Sequence, residues 1–439
     1  MIRGRACAAL VLFSANLGCA GLVGITDVPG GDGGAPALDA HLVVLADGRV
    51  VHVLPDGNVV GFDVVPPVDG HRTGLDAGVP MQDGTLSDAG ADADGPGPRM
   101  TLSYTPSNLG ASTFNAAITG PLTLSSDNCV LYTDDQIITC ASGQNPSMDM
   151  QSVTLAGGAG EAVVFVFTDI SIDASSGLQI RGTKPGILVV LGSVNLSGTI
   201  DVSADNFGQS GMAIPGVRTS GAGVGAFGNS GGPQGGGGGS FCGTGGHGAP
   251  ASSDGFAPGM PYGNASLVPL WGGSAGGGAN TGGADLANGN GGGALQISAA
   301  GNIIVHGGAV INANGSGGVS QGNEQGEGAG SGGSILLEAP TIQIDGLLEA
   351  NGGQGSDEKE DGADPPADGG VASKAGCIGG NGGAGAQKDG SNGGLVDGGF
   401  GGGGGGVGWI RLNGTSVTIT GTITPSVASG CASKAPLPP

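Results

Sequence analysis

The residues of this chain that could do chemistry are few, and the most informative are carboxylates recurring at matching places in a repeated motif. Laying residues 186–203 (GILVVLGSVNLSGTIDVS), 293–314 (GALQISAAGNIIVHGGAVINAN), 333–351 (GSILLEAPTIQIDGLLEAN) and 406–426 (GVGWIRLNGTSVTITGTITPS) side by side puts Asp201, Asn312, Glu349 and Thr424 in one column. If the copies stack as strands, Asp201 and Glu349 lie two spacings apart, ~9.6 Å, at the edge of the ~6.5–9.5 Å separation used by inverting glycoside hydrolysis. Such a pair, on the outer face of adjacent coils, could supply an acid and a base to a bound sugar polymer. Outward strand positions are mostly polar anyway, and no clustered basic or aromatic residues accompany the pair in the sequence. The column therefore reads first as a solvated polar ladder.

A second acidic group, Asp357-Glu358-Lys359-Glu360-Asp361 with Asp364 and Asp368, offers hard oxygen ligands suited to Ca²⁺ but lacks the spacing of a calcium loop. It reads as a charged, solvated loop tip. Cys129 and Cys140 bracket Leu131 to Ile138, and in an oxidising compartment they are expected to close a short disulfide loop. Cys242 and His247 are close in sequence, and Cys377 occupies a similar Gly-rich stretch. A metal site would need more ligands at tighter spacing, so a Cys242–Cys377 disulfide is preferred and no metal or other cofactor is expected. That pairing leaves Cys431 over: free, paired with another chain, or a sign that the pairing differs. His41, His52, His71 and His306 are scattered, and Gly-x-Gly-x-x-Gly matches carry no weight without a strand-turn-helix context. No Ser/His/Asp set stands out, so no catalytic residue is assigned and the chain is expected not to be an enzyme.

The elements that must position these residues are visible as the repeat itself. Each copy holds three short strands of alternating apolar residues separated by one or two small or turn residues, and a fainter copy precedes them. In the third copy, Ile335 and Leu337, Ile342 and Ile344, and Leu348 and Ala350 point inward; in the faint copy the same role falls to Phe165, Phe167, Ile170, Ile172, Leu178 and Ile180. About twenty residues with three period-2 strands suits one coil of a parallel β-helix. The expected fold is all-β: a parallel β-helix over 161–426 with about five coils sharing one aliphatic column. No window of useful length keeps a 3.6-residue period free of Gly, which excludes amphipathic helices.

The insertions 204–292, 315–332 and 352–405 interrupt the coils, and Gly dominates them. Loops of that length count against a fold. However, each returns to the same motif, and glycines can pack as extended polyproline-II-like strands whose bare backbones approach closely. Ordered packing and dangling loops both remain open at this point.

Ahead of the repeat, Arg3 and Arg5 precede a short apolar run, Ala8 to Phe13, well below bilayer-spanning length; residues 1–18 read as a signal peptide. Asn16-Leu17-Gly18-Cys19 then offers a small residue before a cysteine, as lipoprotein signal peptidase requires, which makes Cys19 the lipidation site; ordinary cleavage near Ala20 is the alternative. Residues 19–99 form an acidic Asp/Gly/Ala-rich tether expected to be disordered, interrupted by a possible hairpin island at 42–62, where Asp47-Gly48 and Asp56-Gly57 mark tight turns. Residues 100–160 are assigned to an N-terminal cap and 427–439 to a C-terminal tail.

Acidic residues number 36 against 13 Lys plus Arg, a net charge of −23 that becomes −25 once Arg3 and Arg5 are removed. Such a surface repels phosphate backbones, so nucleic acid is not an expected partner. With only two Trp, three Tyr and ten Phe, the core must be aliphatic.

The Gly-Gly-Ser-Ile and Gly-Gly-Ala-Leu lead-ins, the Ala-Asn-Gly-Gly exit and the opening Cys19-Ala20-Gly21-Leu22-Val23-Gly24-Ile25-Thr26-Asp27 resemble a group of uncharacterised Gly-rich exported proteins of myxobacterial type. The resemblance covers residues 15–27 and roughly 120–426. Gly379-Gly380-Asn381-Gly382-Gly383-Ala384-Gly385 is also similar to the repeats of mycobacterial PE-PGRS surface proteins. Both resemblances imply architecture and location only. The resulting expectation is a lipid-anchored protein of the outer membrane or cell surface, or a secreted one, with a structural, adhesive or matrix-contact role. Its partners would be the membrane through the lipid and polysaccharide or other envelope proteins; the alternative is a polysaccharide hydrolase or lyase.

Overall fold

The computed structural model describes residues 24–25, 41–44, 50–53 and 59–63, and then 99–439 apart from 111, 113, 157–159, 205–222, 227–233, 251–255, 279–288, 321–324, 358–360, 366–369 and 397–398. The 1–18 segment, Cys19 and most of 19–99 lie outside the described residues. The chain divides into two units, Met1–Ala89 and Gly90–Pro439. In the first, strands Gly24–Ile25, His41–Val44, Val50–Val53 and Val59–Asp63 pair antiparallel in chain order. The island expected at 42–62 thus supplies the strands of a meander, while Asp47-Gly48 and Asp56-Gly57 lie outside the described residues.

The second unit is all-β; no α-helix occurs among its described residues, and no helix there is long and apolar enough to cross a membrane. Its repeat forms three long parallel ladders. Ladder one stacks Glu161–Phe167, Gly186–Val190, Ala294–Ala299, Ser334–Glu338, Trp409–Asn413 and Ala432–Ala435, with Asp149–Thr154 antiparallel against its first strand. Ladder two stacks Leu122–Leu124, Ile170–Ile172, Val194–Leu196, Asn302–Val305, Thr341–Ile344 and Ser416–Ile419. Ladder three stacks Asn128–Tyr132, Gly177–Arg181, Thr199–Asp201, Val310–Asn312, Leu347–Glu349 and Thr422–Thr424, with Ile137–Cys140 antiparallel at its start. The chain visits the ladders in turn, which is compatible with a β-helix-like fold. Residues 122–132, assigned from sequence to a cap, supply the first rungs of ladders two and three.

Alternation decides which side chains face in. Most strands of ladder two alternate buried and exposed, and in most strands of ladder three a buried residue is flanked by part-exposed ones; the inward residues stack as Leu124, Ile172, Leu196, Val305, Ile344, Ile419 and as Cys129, Leu178, Ile200, Ile311, Leu348, Ile423. Ladder one contributes Phe165, Leu188, Ile297, Leu337 and Leu412 to the same cluster. From Glu161–Phe167 to Ser334–Glu338 its strands are buried on both faces almost throughout, as near-continuous runs such as Ala162-Val163-Val164-Phe165-Val166-Phe167 require. A second apolar layer of Leu102, Tyr104, Leu109, Phe114, Phe241, Leu267 and Leu270 covers its outer face.

All three insertions leave from the end of ladder three and return to ladder one. Within them the backbone bonds in a repeat of three. The N–H groups of Gly402, Gly405 and Gly408 donate to Ser356, Gly353 and Ala350; those of Gly403 and Gly406 to Gly236 and Gly239; those of Gly401, Gly404 and Val407 to Gly394, Ser391 and Lys388. The carbonyls of the same segment accept from 242–249, from 380–383 and from 329–332. Strand 401–408 therefore has six hydrogen-bonded neighbours. A Cβ at Gly403 would lie far inside the contact distance of Gly246 O, and one at Gly236 would strike Gly277 O, so only glycine permits this spacing.

Candidate functional site

Register brings Asp201, Asn312, Glu349 and Thr424 into one column on the outer face of ladder three, as the sequence alignment requires. The chemistry of the column differs from an open polar ladder. Arg181, 1% exposed, lies one strand below and reaches Asp201: its Nη2 sits 3.1 Å from Oδ2 and its Nη1 donates to the Asp201 carbonyl at 3.3 Å. Asp201 Oδ1 accepts the Ser203 N–H at 2.9 Å and its hydroxyl at 2.5 Å. Both carboxylate oxygens are thus engaged. Glu349 is 1% exposed and Thr424 2%. Thr424 Oγ1 accepts the Gly385 N–H at 2.8 Å, so the 352–405 insertion folds back over this end of the column. The expected solvated ladder is corrected: only its Asp201 and Asn312 part borders open space, a groove of ≈ 710 Å³ that Asn128, Val130, Gln179 and Thr199 also line.

The next side chains out along these strands explain what the column does. Asn312 Oδ1 accepts the Asn314 N–H, Asn314 Oδ1 accepts the Asn351 N–H, and Thr424 Oγ1 donates to Asn351 Oδ1, at 2.9, 2.7 and 2.6 Å. Backbone groups that leave a ladder at a corner lose their strand partners, and short polar side chains replace them. The Ala-Asn-Gly exits are the sequence trace of this device.

The acidic run behaves similarly. Asp357 Oδ2 accepts the Ile378 N–H at 3.0 Å, Asp361 Oδ1 that of Ser320 at 2.7 Å, and Asp364 Oδ1 that of Gly317 at 2.8 Å. Asp389 and Asn392 do the same for Thr244 and His247. Three of the calcium candidates thus each cap a backbone donor; Glu358, Lys359, Glu360 and Asp368 lie outside the described residues. Asp357, 5% exposed, is not part of a solvated tip.

Of the cysteines, Cys129 and Cys140 form the expected disulfide, bridging an antiparallel pair, and Cys129 takes the first place in an aliphatic stack. The Cys242–Cys377 pairing is corrected: Cys242 bonds Cys431, 189 residues away. The Cys242 N–H donates to Val407 O, beside the start of the fifth strand of ladder one, and Cys431 directly precedes the sixth. Cys377 is a free thiol, half-buried, and burial pushes its pKa up to about 11. Among the described residues, the one cluster of possible metal ligands is Asp127 with Cys129 and Cys140, whose sulfurs are already spent on each other.

One polar site escaped the sequence reading. Glu338, fully buried on the outer face of ladder one, accepts from Ser107 N (3.1 Å) and Oγ (2.5 Å), Gln296 Nε2 (2.9 Å), Ser298 Oγ (3.0 Å) and Asn413 Nδ2 (2.9 Å). Tyr104 Oη donates to the Glu338 and Ala299 carbonyls, and burial, with the Glu338 charge adding to it, pushes that phenol above its ordinary range. The cluster pins residues 104–108 across the ladder. Its signal was a carboxylate ending the apolar run Ile335-Leu336-Leu337, but the strap that satisfies it is over 200 residues away. No family model, curated protein or solved structure matches the chain, so its reading rests on its own residues and geometry.

Proposed function

We propose that this chain is an exported lipoprotein, anchored through Cys19 at the outer membrane or cell surface, whose role is structural or adhesive contact with the surrounding matrix. Its body is read as a parallel β-helix of about five coils with its Gly-rich insertions packed as polyproline-II-like strands. The observation that carries the non-catalytic reading is the state of the acidic column: Asp201 holds Arg181 and Ser203 with both oxygens while Glu349 is buried. Two disulfides suit an oxidising compartment. The groove beside Asp201 favours the second reading, a polysaccharide hydrolase or lyase. Cys19→Ser tests the anchor: it should release the protein from the membrane fraction or stall its processing, and normal membrane retention would overturn that part. Chain cleavage of any polysaccharide that Glu349→Gln abolishes would replace the adhesive reading with the enzymatic one.

A further inference from the structure

The chain has two Trp and three Tyr, and the fold gathers both tryptophans and Tyr262 into one cluster on the outer side of ladder one. Trp409 starts the fifth strand of that ladder; Ile410 after it points into the aliphatic column, so Trp409 faces out. Tyr262 and Trp271 come from the 204–292 insertion, and Phe241 from beside Cys242. The Phe241 and Tyr262 ring centroids are 4.6 Å apart at 36°, those of Tyr262 and Trp271 5.9 Å apart at 47°. Trp409 Nε1 donates to Tyr262 O at 3.4 Å and closes the set. Phe241 is buried beneath, while Tyr262, Trp271 and Trp409 are each half-buried and keep part of their surface in water.

Polar groups border the rings. Arg411, two residues beyond Trp409 and hence on the same face, is half-buried, with Nε donating to Asn413 Oδ1 at 2.7 Å and Nη1 to Ser433 Oγ at 3.0 Å. These bonds hold the guanidinium in place beside the tryptophan.

We propose that Tyr262, Trp271, Trp409 and Arg411 form a binding patch for neutral pyranose polymers. A pyranose ring presents a face of weakly positive C–H bonds, which fits the negative face of an aromatic ring, and a rim of hydroxyls, which a held guanidinium can bind. The net charge of −23 disfavours polyanions such as nucleic acids, polyuronates and anionic membranes. Strand addition by a peptide is blocked, because Trp409–Asn413 is paired on both sides, by Ser334–Glu338 and by Ala432–Ala435. The inclination of the rings suits a chain that turns, such as a soluble glucan, better than a flat crystalline face. This inference rests on the matrix-contact reading and names its site.

Both tryptophans of the chain belong to the patch, so intrinsic fluorescence reports on it directly. The mature protein is titrated with dextran and with pullulan while tryptophan emission is followed, and parallel samples are run in native gels containing each polymer. A saturable emission change is expected, with affinity falling about tenfold or more in Trp271→Ala and in Arg411→Met. Trp271→Phe, which keeps an aromatic ring, should retain most of the binding and controls for folding. Gel retardation without an emission change would overturn the patch while leaving matrix contact intact, since the polymer would then bind elsewhere. An emission response to anionic vesicles or to polylysine but not to either glucan would overturn the ligand class. No response and no retardation with either glucan would overturn the inference, whereas matrix contact itself would be judged by retention of the protein in extracellular matrix fractions.

Discussion

Phe165, Leu188, Ile297, Leu337 and Leu412 stack side chain on side chain along ladder one, whereas Gly236, Gly403 and Gly246 lie in adjacent strands with nothing between their backbones. The ladders fill space with branched aliphatic groups and draw stability from apolar area removed from water. The glycine runs of the insertions have no such area to bury, and the order of strand 401–408 comes from backbone hydrogen bonds that reach six neighbours rather than two. One region therefore depends on having the right side chain, and the other on having none. Both are intolerant of substitution, for opposite reasons: an inward ladder position fails when it loses apolar fit, and an interior insertion position fails when it gains a single carbon.

The largest effect is expected in the ladders. Ile344 is fully buried between Val305 and Ile419, so Ile344→Asp should cost about 4 kcal/mol or more in urea unfolding, because the charge has no partner in so narrow a column. Gln343 beside it is exposed and loses only a side-chain bond to Asp345; Gln343→Asp should cost under about 1 kcal/mol. Equal shifts for the two would break the distinction between inward and outward faces. The bond joining the two regions comes next. Serine at both Cys242 and Cys431 should cost about 2–4 kcal/mol. Cys377→Ser should change little, and without reduction alkylation should reach Cys377 among the body cysteines, its rate rising with pH toward about 11 as the thiolate forms. Peptide mapping that found Cys377 bonded to Cys242 would restore the pairing that sequence suggested. Smaller, and specific to the insertions, Gly403→Ala should cost about 2–3 kcal/mol by overpacking. At Gly394 a Cβ would meet Ile378 O at 3.3 Å, tight but adjustable, and Gly394→Ala should cost under about 1 kcal/mol. Similar melting temperatures for these two variants would mean that the insertions are looser than their hydrogen bonds imply.

The sequence by itself determined what local backbone geometry controls. Side chains alternate across a strand with a period of two, so Ile335, Leu337, Ile342, Ile344, Leu348 and Ala350 could be assigned inward and the register of Asp201, Asn312, Glu349 and Thr424 read from the repeat. Cys129 and Cys140, eleven residues apart, were within reach of the same reasoning. Only the tertiary structure decided the rest. Arg181 lies a full winding from Asp201 and carries no local mark of the pairing. Glu338 is buried by a strap far back in the chain, Cys242 finds Cys431 rather than Cys377, and three aromatic residues of the 204–292 insertion meet Trp409. The last three depend on where the Gly-rich insertions return. A glycine has no side chain to record its neighbour, so the packing that brings these residues together leaves no periodic trace in the residues that make it.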